Sequence, residues 1–254
     1  MTLEQYEKRY AELKEQGIRS MHFGFNGQLP VDFLKIEVFE EVIKESHIHM
    51  IERSVNENGQ WVKKKEIVDW KKGFIFMLGG LCGIESDPFV SEKTGKYAYL
   101  SHARLWRLLP SMNKESVSAE YEFDAEIRAE ETILKNEIKF QDYQQKVAEG
   151  KKPRYEVYQK YKTEADKRLA VVEMAKFGRQ RADSGAHKRG IIKMLKLPNP
   201  REEFIGMTVF CFKCVPNLDN MEMRHKLLND DKSAQEVFGI ADNTGTIPHV
   251  PEGE

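Results

Sequence analysis

The feature that most constrains this chain is a basic segment with helical periodicity, residues 164–198. Around it, residues 151–197 carry fourteen Lys and Arg against five Asp and Glu, a balance of +9. Residues 1–150 carry 21 against 26 and residues 198–254 carry five against ten, so each flank has a balance of −5. Because the whole chain has a formal net charge of only −1, any polyanion-binding site must be local.

The spacing of apolar residues in this segment predicts two helices. On the second helix Ile191, Met194 and Leu195 form an apolar face, and Pro198 ends the helix. The run Asp183-Ser184-Gly185 predicts the break between the helices and a cap for the second one. On the first helix one face is expected to be buried, and its residues are Tyr158, Tyr161, Ala165, Leu169 and Val172.

The basic residues of the second helix form a separate stripe. Arg189, Lys193 and Lys196 recur at i, i+4 and i+7, and arginine suits bidentate contacts with phosphate. Small residues from Gly178 to Gly190 alternate with the basic ones and would let a phosphate backbone come close. The alternative interpretation is a solvated helix face. The candidate phosphate-binding and base-stacking residues are Lys176, Phe177, Arg179, Arg181, His187, Lys188, Arg189, Lys193 and Lys196.

Two blocks of the sequence resemble phage single-strand DNA annealing proteins of the RecT, Erf and Redβ group. One is GRQRADSGAHKRGIIKMLKLP, residues 178–198, which resembles a small-residue-rich helix leading into an arginine-bearing helix with a short "LGI"-like end. The other is GKYAYLSHARLWRLLPSMNKESVSAEYEF, residues 95–123, which resembles a strand, a short helix ending near Pro110 and a return strand. The residues of the first block that carry the match are Ala182, Gly185, Ala186, Lys188, Arg189 and 195–197.

The resemblance implies ATP-independent binding and annealing of single-stranded DNA in homologous recombination. It implies a non-enzymatic protein without metal or cofactor, acting as a ring or helical filament of identical copies. A phage exonuclease or a host single-strand-binding protein is the partner that it suggests. The chain has no P-loop, which disfavours ATP-driven recombinases and helicases.

Other chemistries are possible from the residues alone. The alternating acids Glu120, Glu122, Asp124 and Glu126 could hold magnesium in a nuclease, although a wet strand face explains them more simply. A further alternative is a non-enzymatic regulator whose basic helices dock on an acidic protein.

Two pairs of potential metal ligands also stand out. Cys211 and Cys214 have the CxxC spacing of a zinc site, but two small apolar residues in a strand are favoured. His47 and His49 are favoured as ordinary histidines, because no paired carboxylate motif completes a metal site.

The overall pattern predicts an α+β fold, with a small, mostly antiparallel sheet packed against helices that include the long basic one. Residues 1–229 are expected to form a single domain with a charged helical insertion at about 130–162. Turns are expected at Asn26-Gly27 and Asn58-Gly59, the latter within a hairpin, and residues 230–254 form an acidic tail expected to be poorly ordered. Helices are predicted at 3–16, 31–45 and 101–110, strands at 47–55, 116–129 and 203–217, and either state at 73–84.

The sequence also bears on location. No apolar run approaches the roughly twenty residues that span a bilayer, and no membrane partner is expected. The N-terminus is too acidic and too polar for a secretory signal. The three cysteines, Cys82, Cys211 and Cys214, are sparse and odd in number, which favours a reducing cytoplasm.

Overall fold

The computed structural model describes residues 1–24, 30–31, 34–57, 60–151 and 155–217. The predicted turns at Asn26-Gly27 and Asn58-Gly59, residues 152–154 and the predicted acidic tail lie outside the described residues. The helices are α1 Leu3–Glu15, α2 Lys72–Leu81, α3 Ala125–Ala148, α4 Glu164–Ala175 and α5 Gly178–Leu195. The strands are β1 Ser20–Phe23, β2 Leu34–Val42, β3 Ile48–Glu57, β4 Gln60–Trp70, β5 Glu85–Ser86, β6 Val90–Lys93, β7 Ala98–Leu108, β8 Lys114–Asp124 and β9 Thr208–Pro216.

The fold is α+β, as the sequence predicted. The described residues form two compact units. The first comprises the described part of Met1–Glu85, Trp106–Glu115 and Pro198–Glu254, and the second comprises Ser86–Leu105 and Ser116–Leu197. Whether residues 1–229 behave as one domain stays a prediction.

The first unit has its core around β9. This strand lies between β1, which is parallel to it, and β2, which is antiparallel. Tyr6 and Leu13 of α1 pack on Phe210 and Phe212 of β9. α1 confirms the predicted N-terminal helix, and it begins at a capping box formed by Thr2 and Gln5.

The helix predicted for residues 31–45 is wrong, because this segment forms β2. Leu34, Ile36 and Val38 are buried, and the residues between them are only half-buried. That two-residue period matches a strand with one face on a core. The apolar residues of this segment also fit a helical period, so the sequence alone does not distinguish helix from strand. Pairing with β9 selects the strand.

The helix predicted for residues 101–110 is also wrong, because it is part of β7. Ser101, Ala103 and Leu105 are fully or almost fully buried, and they alternate with more exposed residues. Leu108 and Leu109, at the end of this segment, are only half-buried.

Other elements agree with the sequence more closely. β3 and β4 form the predicted antiparallel hairpin, and β9 lies within the strand predicted at 203–217. The strand predicted at 116–129 is confirmed only up to Asp124, because residues 125–129 begin α3. The segment left open at 73–84 is mostly helical, as α2. The charged insertion is helical only in part, because α3 ends at Ala148 and residues 155–163 form no helix.

The break in the basic segment lies at Lys176-Phe177 and not at Asp183-Ser184-Gly185, which is inside α5. The predicted buried face of the first helix is wrong too, since Leu169 is 57% exposed and Val172 52% exposed. The buried residue of α4 is Ala170, and the tyrosines at 158 and 161 precede the helix.

Candidate nucleic-acid interface

A row of small residues lets α5 lie directly on the sheet of the second unit. The row consists of Gly178, Ala182, Ala186 and Gly190, spaced four residues apart, and all four are buried. A Cβ added at Gly178 would come within 2.9 Å of the Tyr99 ring. These positions therefore contact the protein's own strands, which corrects the prediction that small residues here open space for a phosphate backbone.

Gly185 makes the closest approach on the neighbouring row of α5. A Cβ at this position would lie 2.2 Å from Cδ1 of Tyr121 on β8, closer than any real side chain allows. Glycine is therefore required here for contact with a ring, and the position offers no room for a ligand.

Asp183 fixes the other flank of α5. Its Oδ1 accepts a hydrogen bond from Ser101 Oγ at 2.7 Å and another from Ser91 Oγ. The two serines lie on β7 and β6, so the carboxylate anchors the helix to two strands. A carboxylate that accepts two hydroxyls mid-helix acts as an anchor, and this explains why the predicted cap and break do not occur there.

Three basic side chains extend from α5 along β8, and we call them the α5 cation row: Arg181, Arg189 and Lys193. Arg181 lies over the Phe123 ring, with its guanidinium carbon 5.2 Å from the ring centroid. Arg189 lies over Tyr121 at 4.7 Å and donates to the carbonyl oxygen of Glu120 at 3.0 Å.

Lys193 completes the row by donating from Nζ to the carbonyl oxygen of Ser118 at 3.2 Å. Ser118 and Glu120 are two residues apart, so their carbonyls point to the same edge of β8. Among the described strands only β7 pairs with β8, which leaves this edge to the side chains of α5. From Arg181 to Lys193 the helix rises about 18 Å.

No member of the α5 cation row forms an ion pair with an acidic residue that the structure describes. Each is held by a ring, a carbonyl oxygen or the sulfur of Met174, which Arg181 approaches to 3.2 Å. Their cationic groups are therefore not held in ion pairs with described carboxylates.

Arg128 of α3 contacts Tyr121, the residue whose ring lies under Arg189, and it was not among the site residues predicted from the sequence. A hydrogen bond to the Tyr121 hydroxyl is the main reason why the pKa of Arg128 lies above its ordinary value. The same side chain pairs with Glu131 at 3.0 Å. Because Arg128 precedes Arg181 by 53 residues in the chain, no local pattern could connect the two.

The other predicted site residues do not join this row. Phe177 is the N-cap residue of α5 and 49% exposed, and Lys176 lies over its ring at 5.8 Å. His187 is half-buried with its ring 5.7 Å from that of Phe89. Arg179 and Lys196 are exposed, and Lys188 is half-buried.

Comparison of the chain with protein-family models, with curated proteins and with solved structures gave no match. The resemblance to phage annealing proteins therefore stays a prediction. Its second block takes a form that differs from the expected one, because the strand β7 replaces the short helix before Pro110.

The four acidic residues considered as magnesium ligands have different surroundings. Glu120 contacts His102 Nδ1 at 3.1 Å, Glu122 accepts from Thr94 at 3.1 Å, and Asp124 caps α3. Glu126 is in the first turn of α3 and not on the strand. No group of three His, Cys, Asp or Glu side chains that could hold a metal ion occurs among the described residues.

The cysteines and histidines that were weighed as metal ligands have other surroundings. A hydrogen bond with Cys82, together with burial, raises the pKa of Cys211. Burial raises the pKa of Cys214 to about 11. Both therefore favour the neutral thiol, whereas zinc binds the thiolate. His47 stacks on Phe74 with ring centroids 4.4 Å apart.

No helix in the described parts of the chain has the length and the apolar character needed to cross a membrane.

Proposed function

We propose that the α5 cation row and the adjoining edge of β8 bind the phosphate backbone of single-stranded DNA. The observation that carries this proposal is three cations in line over about 18 Å of helix, none of them paired with a described acidic residue. The surrounding residues 151–197 add a net balance of +9, which favours the approach of a polyanion to this part of the chain.

The contacts seen in the structure explain how a phosphate would be accepted. Arg189 and Lys193 donate to neutral carbonyl oxygens at 3.0 and 3.2 Å. A phosphate oxygen carries a full charge and forms a stronger hydrogen bond with the same donors. The side chains therefore gain free energy by exchanging a carbonyl for a phosphate. Such contacts read no base, so binding is expected to be independent of sequence.

Phe177 favours a single strand over a duplex in this proposal. Its ring is about half exposed at the N-terminus of α5, next to Lys176. Stacking of an unpaired base on an aromatic ring contributes about 1–3 kcal/mol and tolerates any base. In a duplex the bases are already stacked, so this contribution is lost.

The resemblance to phage annealing proteins extends the proposal from binding to annealing. A strand held by its phosphates keeps its base edges free to pair with a complement. We therefore propose that the protein, as an assembly of identical copies, pairs complementary strands without ATP hydrolysis.

The experiment is fluorescence anisotropy of a labelled single-stranded oligonucleotide across a salt series, followed by addition of its complement. Each phosphate contact to a single strand contributes about −0.7 to the slope of log K against log salt. Loss of Arg189 and Lys193, as the double variant Arg189→Gln/Lys193→Gln, is expected to weaken binding about tenfold or more and to flatten the slope by about 1.4.

The matched control is Lys135→Gln/Lys139→Gln, which removes the same charge from two exposed positions of α3 in the same unit. Its binding is expected to stay near that of the wild type. Equal losses in the two double variants would mean that net charge alone, and not the α5 cation row, determines binding.

A further inference from the structure

The hairpin of β3 and β4 extends away from any packing partner within the described residues. Its strands pair with each other and with no third described strand. Every residue is exposed from Ile51 to Val55 and from Val62 to Glu66, so neither face of this part is covered. We call residues 51–55 and 62–66 the ribbon.

Only the base of the hairpin is anchored. Ile48 and Trp70 are 2% and 3% exposed, and the Trp70 ring lies 5.1 Å from that of Phe74. A two-stranded hairpin without a further layer is marginally stable in water. Neither outer edge pairs with a third described strand, and an unpaired strand edge favours the addition of another strand. The ribbon therefore has the properties of a docking element.

Charge indicates which partner fits. β3 carries Arg53 against two acidic residues and β4 carries three lysines against two acidic residues, so the strands have charges of −1 and +1. The hairpin as a whole is neutral, which disfavours nucleic acid as the partner. Pairing of β4 with another β4 would place the lysine run 63–65 beside itself, and like charges on adjacent strands repel.

Pairing of β4 with the β3 of a second copy brings opposite charges together. The hairpin already shows the same combination internally, with Lys63 on Glu52 at 3.2 Å and Arg53 on Glu66 at 2.8 Å. Val55 faces Val62 across the two strands, and each is about two-fifths exposed. A second copy would therefore find both charge and apolar complementarity.

We propose that the ribbon joins copies of this chain, with the β3 edge of one copy added to the β4 edge of the next. The two surfaces differ, so the contact is heterologous and repeats into a ring or a filament. The inference rests on the proposed function for its role, since it names the contact through which annealing subunits assemble. It also predicts that copies of the chain assemble in the absence of DNA.

The test is the mass of the full chain by light scattering after size exclusion, without nucleic acid and over a range of micromolar concentrations. The wild type is expected to show a mass of several chains. A variant in which residues 53–64 are replaced by Asn-Gly keeps the anchored base, and it is expected to show the mass of one chain. Its thermal unfolding reports whether the remaining fold is intact.

The control is Leu134→Asn/Ile138→Asn, which removes two apolar side chains of α3 that are each 56% exposed. It is expected to assemble like the wild type. A monomeric wild type, or a shortened variant with the wild-type mass, would overturn the proposal. Loss of assembly only in the α3 variant would also overturn the proposal, because it would assign the contact between copies to α3.

Anisotropy with a short oligonucleotide on the same samples separates this inference from the proposed function. Loss of assembly with retained binding to one copy supports both. Assembly without any DNA binding retains the ribbon contact and rejects the nucleic-acid function.

Discussion

Replacing Gly190 with alanine tests how closely α5 lies on β7. The added Cβ would lie 2.3 Å from Cδ1 and 3.0 Å from Cδ2 of Leu105. Leu105 is fully buried, so its side chain has little freedom to move aside. The substitution therefore forces a change of rotamer or a shift of the helix.

Two opposing effects determine how much Gly190→Ala changes the free energy of unfolding. Alanine is favoured over glycine in a helix interior by about 1 kcal/mol. Overpacking a well-filled core costs about 1–3 kcal/mol, and a contact of this severity belongs in the upper half of that range. We expect the free energy of unfolding of Gly190→Ala to fall by about 1–2 kcal/mol, which corresponds to a few degrees in melting temperature for about 250 residues.

The assay is urea unfolding followed by circular dichroism, with Gly80→Ala as the control. Gly80 is an exposed helical residue of α2, and a Cβ there would meet no atom within 4 Å. The control is expected to gain up to about 1 kcal/mol. If Gly190→Ala stabilises the protein as Gly80→Ala does, the helix does not contact the sheet at this residue and the reasoning is wrong.

Two further predictions concern buried polar groups. Asp183→Ala leaves the fully buried hydroxyl of Ser101 without its acceptor. It should lower the free energy of unfolding by about 1–3 kcal/mol in the same assay. An unchanged free energy of unfolding would contradict the role of Asp183 as an anchor. Burial against Phe74 lowers the pKa of His47 below its ordinary 6.5, so the unfolded chain takes up the proton first and stability declines as pH falls below that value. His47→Asn can still accept from the Lys44 N–H but does not titrate, so its melting temperature should fall less between pH 7.5 and 5.5, and an equal fall would reject this source of acid sensitivity.

The sequence predicts correctly those helices and strands whose apolar spacing fits only one kind of secondary structure. α1 follows from an apolar helical face, and the β3–β4 hairpin, β9 and most of β8 follow from alternation. The apolar face at Ile191 and Leu195 is buried as expected. The two wrong helices, at 31–45 and 101–110, have apolar residues that fit both periods. Pairing with β9 and with the neighbours of β7 selects the strand, and such long-range pairing has no signature in a short window.

The candidate site was predictable in its composition and not in its geometry. The charge imbalance located the segment, but it could not show which of its cations lie along β8 and which, like His187 beside Phe89, contact other parts of the unit. That separation depends on Gly185 and Asp183, which contact strands about sixty to ninety residues earlier in the chain. Arg128 enters for the same reason, through Tyr121.

The most direct test of the nucleic-acid proposal is the ratio of two dissociation constants for one single-stranded oligonucleotide at low salt. One belongs to Arg189→Gln/Lys193→Gln and the other to Lys135→Gln/Lys139→Gln, which has the same net charge. We expect the first to be larger by about tenfold or more. A ratio of one would contradict the assignment of the binding site to the α5 cation row.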